Sequence, residues 1–243
     1  MPTTMQKHPV LPEDEAARRR WLRRLNDIDN LLALLQPSLI TSLEDCTVVD
    51  LGCGPGSLAV PIAKRVKEVL GIDSNGALIE KARIWADKEG LGNARFKTVS
   101  IYEFNESGFD IVICSDVLEH VPDQYGLMEV LVHSLNHGGV FYLTTNNKLW
   151  PLEGHHKLPF LSYLPRPWAD RYVRFMGKGE EFRIFPLTLS EMKKLLDQFP
   201  VSYELKPPLE PKTMLYRMGK RLVEVDEMFW NLANAFQVVG VRS

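Results

Sequence analysis

The stretch Val48-Val49-Asp50-Leu51-Gly52-Cys53-Gly54-Pro55-Gly56 decides the reading of this 243-residue chain. Two β-branched residues lead into an acid, and three glycines then alternate with other residues. The first part predicts a buried strand. The glycines let the backbone turn tightly and approach a ligand with no side chain in the way. A second strand, Val69-Leu70-Gly71-Ile72, closes on Asp73 about 20 residues later, the separation that a nucleoside-binding βαβ unit requires. The pattern predicts a cofactor that contains a nucleoside.

Outward from this stretch the chain alternates strand and helix. Strands are expected at Thr47–Leu51, Val69–Asp73, Ala94–Val99, Phe109–Cys114 and Val140–Thr144. Helices are expected at Ser57–Lys67, Gly76–Lys88 and Gln124–Leu135. Upstream, Trp21, Leu25, Ile28, Leu32 and Leu35 give helical spacing over residues 13–35, behind a loose tail of residues 1–11. Such alternation implies a Rossmann-like α/β fold, a mostly parallel sheet with helices on both faces. After strand five the regularity breaks. Residues 147–187 are rich in proline and aromatics and read as an insertion. Thr188-Leu189-Ser190-Glu191 is a capping box that opens another helix. Val201–Leu205 reads as strand six, residues 212–233 as an amphipathic helix, and Asn234–Gly240 as the last strand. The whole is one domain over 1–243: an N-terminal tail and helix (1–44), a cofactor-binding core (45–146), a substrate-capping insert (147–187) and a C-terminal part of the sheet (188–243).

Hydrophobic residues make up 45% of the chain, enough for a full core, so neither a fibrous nor a disordered chain is expected. The formal net charge of -2 argues against a general nucleic-acid binder. No apolar run is long enough to span a bilayer, and Met1–Val10 lacks the apolar core of a signal peptide. Cys46, Cys53 and Cys114 have no metal-type spacing and read as reduced core residues of a cytoplasmic protein.

The details of the glycine run choose among cofactors. A dinucleotide fingerprint needs its third glycine at position 57, where the chain has Ser57. A pyrophosphate would be repelled by Asp50, whereas the ammonium group of an amino-acid moiety would be attracted by it. S-adenosylmethionine carries such an ammonium and a cationic sulfonium. Asp73 suits a ribose diol and rejects a phosphate. A nicotinamide-dependent oxidoreductase is therefore the rival that Asp50 and Ser57 speak against.

With Asp50-Leu-Gly-Cys-Gly-Pro-Gly56, the acid in Gly71-Ile-Asp73, Phe109-Asp110-Ile-Val-Ile-Cys-Ser-Asp-Val-Leu-Glu-His-Val121 and Gly138-Gly139, the chain resembles the class I S-adenosylmethionine-dependent methyltransferases, of the type 11 and 12 kind. The resemblance implies a seven-stranded sheet whose last strand runs antiparallel between strands five and six. It implies that Gly52, Gly54 and Gly56 approach the cofactor. Asp50 then faces its methionine end, Asp73 holds the ribose, and Ser74 lies near the adenine. Ser100 and Ile101 stand where the family often has an Asp-Ala pair on the adenine, and Ser115 lines the methionine portion.

Methyl transfer is an in-line displacement, and a hydroxyl acceptor must also lose a proton to a base or a metal ion. His120 follows strand four, and His155 and His156 follow strand five, so all three belong to the edge where open α/β sheets bind ligands. They are the candidate catalytic residues. His133 and His137 read as surface residues. Asp116, Glu119 and His120 are spaced like the Glu-x-x-Glu-His of quinone-biosynthesis O-methyltransferases, which bind magnesium. A divalent metal is therefore an option but not the favoured one. Within the insert, Lys157, Arg166, Arg171, Arg174 and Arg183 suit an anionic group, and the neighbouring aromatics suit an apolar or lipid-linked acceptor. The expected activity is O-methylation of a small molecule. The alternatives are N- or C-methylation of a small or lipid-linked acceptor, and a non-catalytic S-adenosylmethionine-binding module.

Overall fold

The computed structural model describes residues 28–206 and 234–243. The expected tail 1–11, most of the expected helix 13–35 and the expected helix 212–233 lie outside the described residues.

Seven strands form one sheet: β1 (Thr47–Leu51), β2 (Glu68–Asp73), β3 (Ala94–Thr98), β4 (Phe109–Ser115), β5 (Leu135–Asn146), β6 (Val201–Lys206) and β7 (Ala235–Arg242). Their order is β3-β2-β1-β4-β5-β7-β6. The pairs from β3 through β5 are parallel, and β7 runs antiparallel between β5 and β6. The helices are α1, of which residues 28–35 are described, α2 (Ala59–Ile62), α3 (Gly76–Lys88), α4 (Gln124–Ser134), α5 (Arg166–Phe175) and α6 (Leu189–Leu196). This is the Rossmann-like architecture that the alternating pattern implies.

The central strands are apolar at successive positions because both faces are covered. Val49, Leu51, Val112, Cys114, Phe141 and Leu143 point to one face and pack with α4 and α6. Val48, Ile111, Ile113, Val140 and Tyr142 point to the other and pack with α1, α2 and α3. Cys46, Cys53 and Cys114 are free and buried, as expected.

Four features of the elements depart from expectation. The helix expected over Ser57–Lys67 contracts to α2. Past Ala63 the backbone tightens to three-residue bonds, Lys64 N–H to Pro61 O and Arg65 N–H to Ile62 O. On α3, where the apolar spacing puts Leu78, Ala82, Trp85 and Ala86 on one face, Ile79, Ala82 and Ala86 are buried, Trp85 packs partly buried against the same core and Leu78 stays at intermediate exposure. The helix expected to end at Leu135 ends at Ser134, and β5 starts at Leu135. A register shift between Phe109 and Ile111 absorbs the Gly138-Gly139 turn. The fourth departure is α5, inside the segment read as irregular. Pro165 and Pro167 bracket its start, where a missing N–H costs nothing.

The segment after β5 carries a small core of its own: Leu158, Leu161, Ala169, Val173, Phe182 and Ile184. Arg166 fastens it. Its guanidinium donates to Phe182 O and, at 2.7 Å, to Ile184 O, while Asp170 Oδ1 accepts from Phe182 N–H at 2.8 Å. The expectation that Arg166 binds an acceptor anion does not fit this internal use.

Gly240 of β7 faces Phe141 of β5 across the antiparallel ladder. A Cβ at 240 would lie 2.3 Å from the Phe141 ring and 2.8 Å from Ser202 O. Gly240→Ala should therefore lower the unfolding free energy by about 1–3 kcal/mol through overpacking. A urea midpoint equal to wild type in chemical denaturation would contradict this packing.

Candidate functional site

The parallel strands end on a common edge, and the residues singled out from sequence converge there. Asp50 is 2% exposed at the end of β1. The backbone N–H of Ala59 donates to its carboxylate, but Oδ2 has no hydrogen-bond partner. Burial, opposed by that N–H and reinforced by the nearby charge of Asp73, pushes Asp50 up to about 7. A buried carboxylate with an open lone pair suits a cation delivered by a ligand.

The three glycines do different work. A Cβ at Gly52 would lie 2.5 Å from Val117 Cγ2, and one at Gly56 would lie 2.9 Å from Val60 Cγ2 and 3.1 Å from Ala82 Cβ. Those two positions are glycine so that the loop can press on its own fold. Gly54 has φ +53°, and nothing lies within 4 Å of where its Cβ would be. Its backbone borders open space. Asp73, at the end of β2, accepts from Gly54 N–H at 3.0 Å through Oδ2 and from Asn75 N–H at 2.8 Å through Oδ1. Each carboxylate oxygen keeps a second lone pair, so a diol can still be held there. Ser74 is exposed beside it, and Ser100 and Ile101 form the turn after β3 at intermediate burial.

Ser115 ends β4. Its hydroxyl lies 2.9 Å from Thr144 Oγ1, which also donates to Asp116 Oδ1 at 3.0 Å. Asp116 has φ +57°, a left-handed conformation that aspartate tolerates better than most residues. Its carboxylate is thereby tied to β5.

The next turn, Leu118–His120, buries Glu119 completely. Glu119 Oε2 accepts from Thr145 Oγ1 at 2.9 Å, while Oε1 has no hydrogen-bond partner. His155 Nε2 lies 3.8 Å from that oxygen and 2.9 Å from Asn146 Nδ2. The Glu119 carboxylate, before other neighbouring acids, holds the His155 imidazole above its ordinary range. The His120 ring meets the His155 ring edge-on, with centroids 4.6 Å apart. Glu119, His120 and His155 offer ligand atoms that all lie within 4.8 Å of one another. That set differs from the spacing-based one: His155 joins it, and Asp116 is engaged with Thr144.

The structure thus brings His120 and His155 together and directs His156 elsewhere. His156 Nδ1 lies 2.9 Å from Glu153 Oε2, and its ring contacts Phe182 with centroids 5.6 Å apart. Glu153 is itself 5% exposed and accepts from the backbone N–H groups of both His155 and His156. These bonds to its charged form pull its pKa below the usual carboxylate range against the opposing effect of burial. Sequence reasoning missed Glu153, Thr144, Thr145 and Asn146. Only Glu153 had a local signal, an acid three residues before a histidine. The turn is anchored to the segment after β5, since Phe185 N–H donates to Glu119 O at 2.7 Å. Beside Asn146 lies a cavity of about 130 Å³ lined by Asn146, Trp150, Glu153, Lys157 and Ile184 among others.

Comparison with known proteins accords with this geometry. Residues 42–165 match the family described as "Methyltransferase domain". The chain is 30% identical over 180 residues to a protein named ubiquinone biosynthesis O-methyltransferase from Acinetobacter baumannii (strain AYE), covering 70% of this chain and 75% of that one. It is 32% identical over 203 residues to the protein of the same name from Alkalilimnicola ehrlichii, covering 77% and 81%. The crystal structure of magnesium protoporphyrin IX methyltransferase from Synechocystis PCC 6803 shares the fold, with a TM-score of 0.61 at 17% identity, over 96% of this chain and 89% of that one. On the domain match and these two relatives, the chain belongs to the class I S-adenosylmethionine-dependent methyltransferases.

Proposed function

We propose that this methyltransferase acts on an oxygen of a small, ring-sized acceptor held under the segment 147–187, with His155 as the base. The observation that carries the reading is the buried Glu119 Oε1, without a hydrogen-bond partner and 3.8 Å from His155 Nε2. A carboxylate in that place stabilises the imidazolium that forms when the ring takes a proton. With the Asn146 amide turned so that its oxygen accepts from Nε2–H, Nδ1 is the nitrogen left for the acceptor hydroxyl. His120 packs on the same ring and limits its rotation. The names of the relatives support oxygen as the acceptor atom. The cavity beside Asn146, at about 130 Å³ close to the roughly 150 Å³ that holds a benzene ring, supports a small acceptor; it borders the loop of His155 through Glu153 and Gly154, and His155 itself is not among its lining residues. Trp150 offers stacking surface, and Lys157 a charge for an anionic substituent.

When bound, S-adenosylmethionine supplies an electrophilic methyl carbon on a sulfonium that leaves as a neutral thioether. In this reading Asp50 faces the methionine ammonium, and the backbone of Gly54 lies along the cofactor, with Gly52 and Gly56 shaping the loop. Asp73 accepts from the ribose hydroxyls. Ser74, Ser100 and Ile101 border the adenine, and Ser115 borders the methionine chain. The segment 147–187 excludes water above them.

A second reading of the same cluster is a divalent cation held by Glu119, His120 and His155, favoured by the donor set and the open Glu119 oxygen. Bound there, a cation would acidify an acceptor hydroxyl.

Three outcomes are expected. Asp73→Ala should weaken S-adenosylhomocysteine binding in calorimetry by about ten- to a hundredfold, since hydrogen bonds to a charged group are lost. Wild-type affinity in the folded variant would refute the ribose assignment. Cofactor affinity should also depend on pH through Asp50. Its pKa near 7 leaves it partly protonated at neutral pH, and the ligand ammonium favours the carboxylate. Affinity should therefore fall as pH drops below about 7 and level off above about 8, with proton release on binding. In Asp50→Asn that pH dependence should vanish. Finally, His155→Ala should lower turnover by about a hundredfold or more. Cofactor affinity should stay unchanged, and His156→Ala should do less. Turnover is read as S-adenosylhomocysteine release from a set of phenolic, amine and carbon acceptors, with and without chelator. Full activity of His155→Ala on the true acceptor sinks the base assignment. Loss of activity with chelator, together with stoichiometric magnesium or zinc binding that His155→Ala abolishes, decides for the cation.

A further inference from the structure

Phe185 joins the segment after β5 to the core through both of its backbone polar groups. Its N–H donates to Glu119 O at 2.7 Å, and its carbonyl oxygen accepts from Gln124 Nε2 at 2.7 Å. The same nitrogen donates at 3.0 Å to Leu118 O, in the turn that carries Glu119 and His120. Both amide hydrogens of Gln124 are thereby used, one on each side of the joint. The partners fix the orientation of this amide. Two carbonyl oxygens can only accept, so its NH2 end must face them.

The root of the side chain is held as well. Gln124 is the first residue of α4, and the cap residue before it, Asp123, accepts from Gly126 N–H at 2.9 Å. Tyr102 O–H donates to Asp123 O at 2.9 Å. Beyond Phe185, Arg166 donates to Ile184 O, and its guanidinium lies 4.2 Å from the centroid of the Phe185 ring. A fixed donor thus stands between two backbones that are distant in the chain, at residues 118 and 185.

Both backbones bear on the acceptor side of the site. One carries Glu119, whose unpartnered oxygen lies 3.8 Å from His155 Nε2. The other places Ile184 and Pro186, which line the cavity beside Asn146. In-line displacement is steep in geometry, and a misplacement of about 1 Å can cost about a hundredfold in rate.

We propose that Gln124 is a positioning residue for methyl transfer. Its amide bridges Leu118 O and Phe185 O, and so sets the Glu119 carboxylate and the wall of Ile184 and Pro186 in one fixed relation. This role rests on the reading that the Glu119 cluster and the cavity serve the acceptor. It is the same whether His155 is a base or a cation ligand.

The test is a series at this position in the full chain. Gln124→Met keeps the length and loses the donor. Gln124→Glu keeps the shape and turns oxygen toward two carbonyls. Gln124→Lys loses the amide and restores a donor. Turnover is measured on the member of the acceptor set that wild type methylates fastest. The kcat should fall about tenfold in Gln124→Met and further in Gln124→Glu, and Gln124→Lys should recover most of it. Calorimetric affinity for S-adenosylhomocysteine should match wild type throughout. In amide hydrogen exchange without acceptor, Phe185 should exchange about tenfold faster in Gln124→Met and return toward wild type in Gln124→Lys. The amides of β4 and β5 should be unchanged.

A wild-type kcat, or wild-type exchange at Phe185, in Gln124→Met overturns the proposal. Equal activity of the Met, Glu and Lys variants does so too, since shape rather than a donor would then matter. So does a loss of S-adenosylhomocysteine affinity in step with kcat, which a general loosening of the fold would give. If His155→Ala and Glu119→Gln both keep the full rate, the acceptor reading falls and takes this role with it. If they lose rate and Gln124→Met does not, the role of Gln124 alone falls.

Discussion

Asp50 is a carboxylate buried at the end of a central strand with a lone pair that nothing among the described residues satisfies. Burial of such a group is costly unless a partner arrives, and here the cost is expressed as a proton affinity raised to about 7. The fold holds it in place because β1 is flanked by β2 and β4 and covered on both faces. The glycine loop that follows sits close against the fold, where a side chain at Gly52 would strike Val117 and one at Gly56 would strike Val60 and Ala82. In the proposed reading a ligand cation comes to this fixed acid, and Asp73 on the neighbouring strand takes the ligand's other end.

Glu119 repeats the same device on the other side of the site. It too is fully buried and has one satisfied and one unsatisfied oxygen. Its partner comes from a different part of the chain, the turn after β5, which Glu153 folds by accepting two backbone N–H groups and one imidazole. The pairing of core and insertion is therefore electrostatic at its centre and backbone-mediated at its rim, where Phe185 N–H meets Glu119 O.

The strands, the glycine loop, Asp50 and Asp73 were legible in the sequence because each is a local pattern: an apolar run, an acid at its end, glycines at fixed spacing. The capping box at Thr188 was legible for the same reason, and both reciprocal bonds are present. Helix α5 was not, since only Ala169 and Val173 of its ten residues are buried and two residues carry no clear period. Its proline-marked start was the available signal. The Glu119–His155 contact joins residues 36 positions apart and depends on how β4 and β5 end side by side, which no local pattern encodes. The separation of His155 from His156 is similar. Adjacent histidines look interchangeable in sequence, and only the Glu153 turn sends one inward and the other to Phe182.

The small core of Leu158, Leu161, Ala169, Val173, Phe182 and Ile184 is distinct from the two that sandwich the sheet. In the proposed reading this core backs the wall over the acceptor, so substitutions in it leave the strands that carry Asp50 and Asp73 unstrained. Under that reading, the wall that meets the acceptor and the sheet that meets the methyl donor are separately packed, and a change of acceptor need not unsettle the donor's seat.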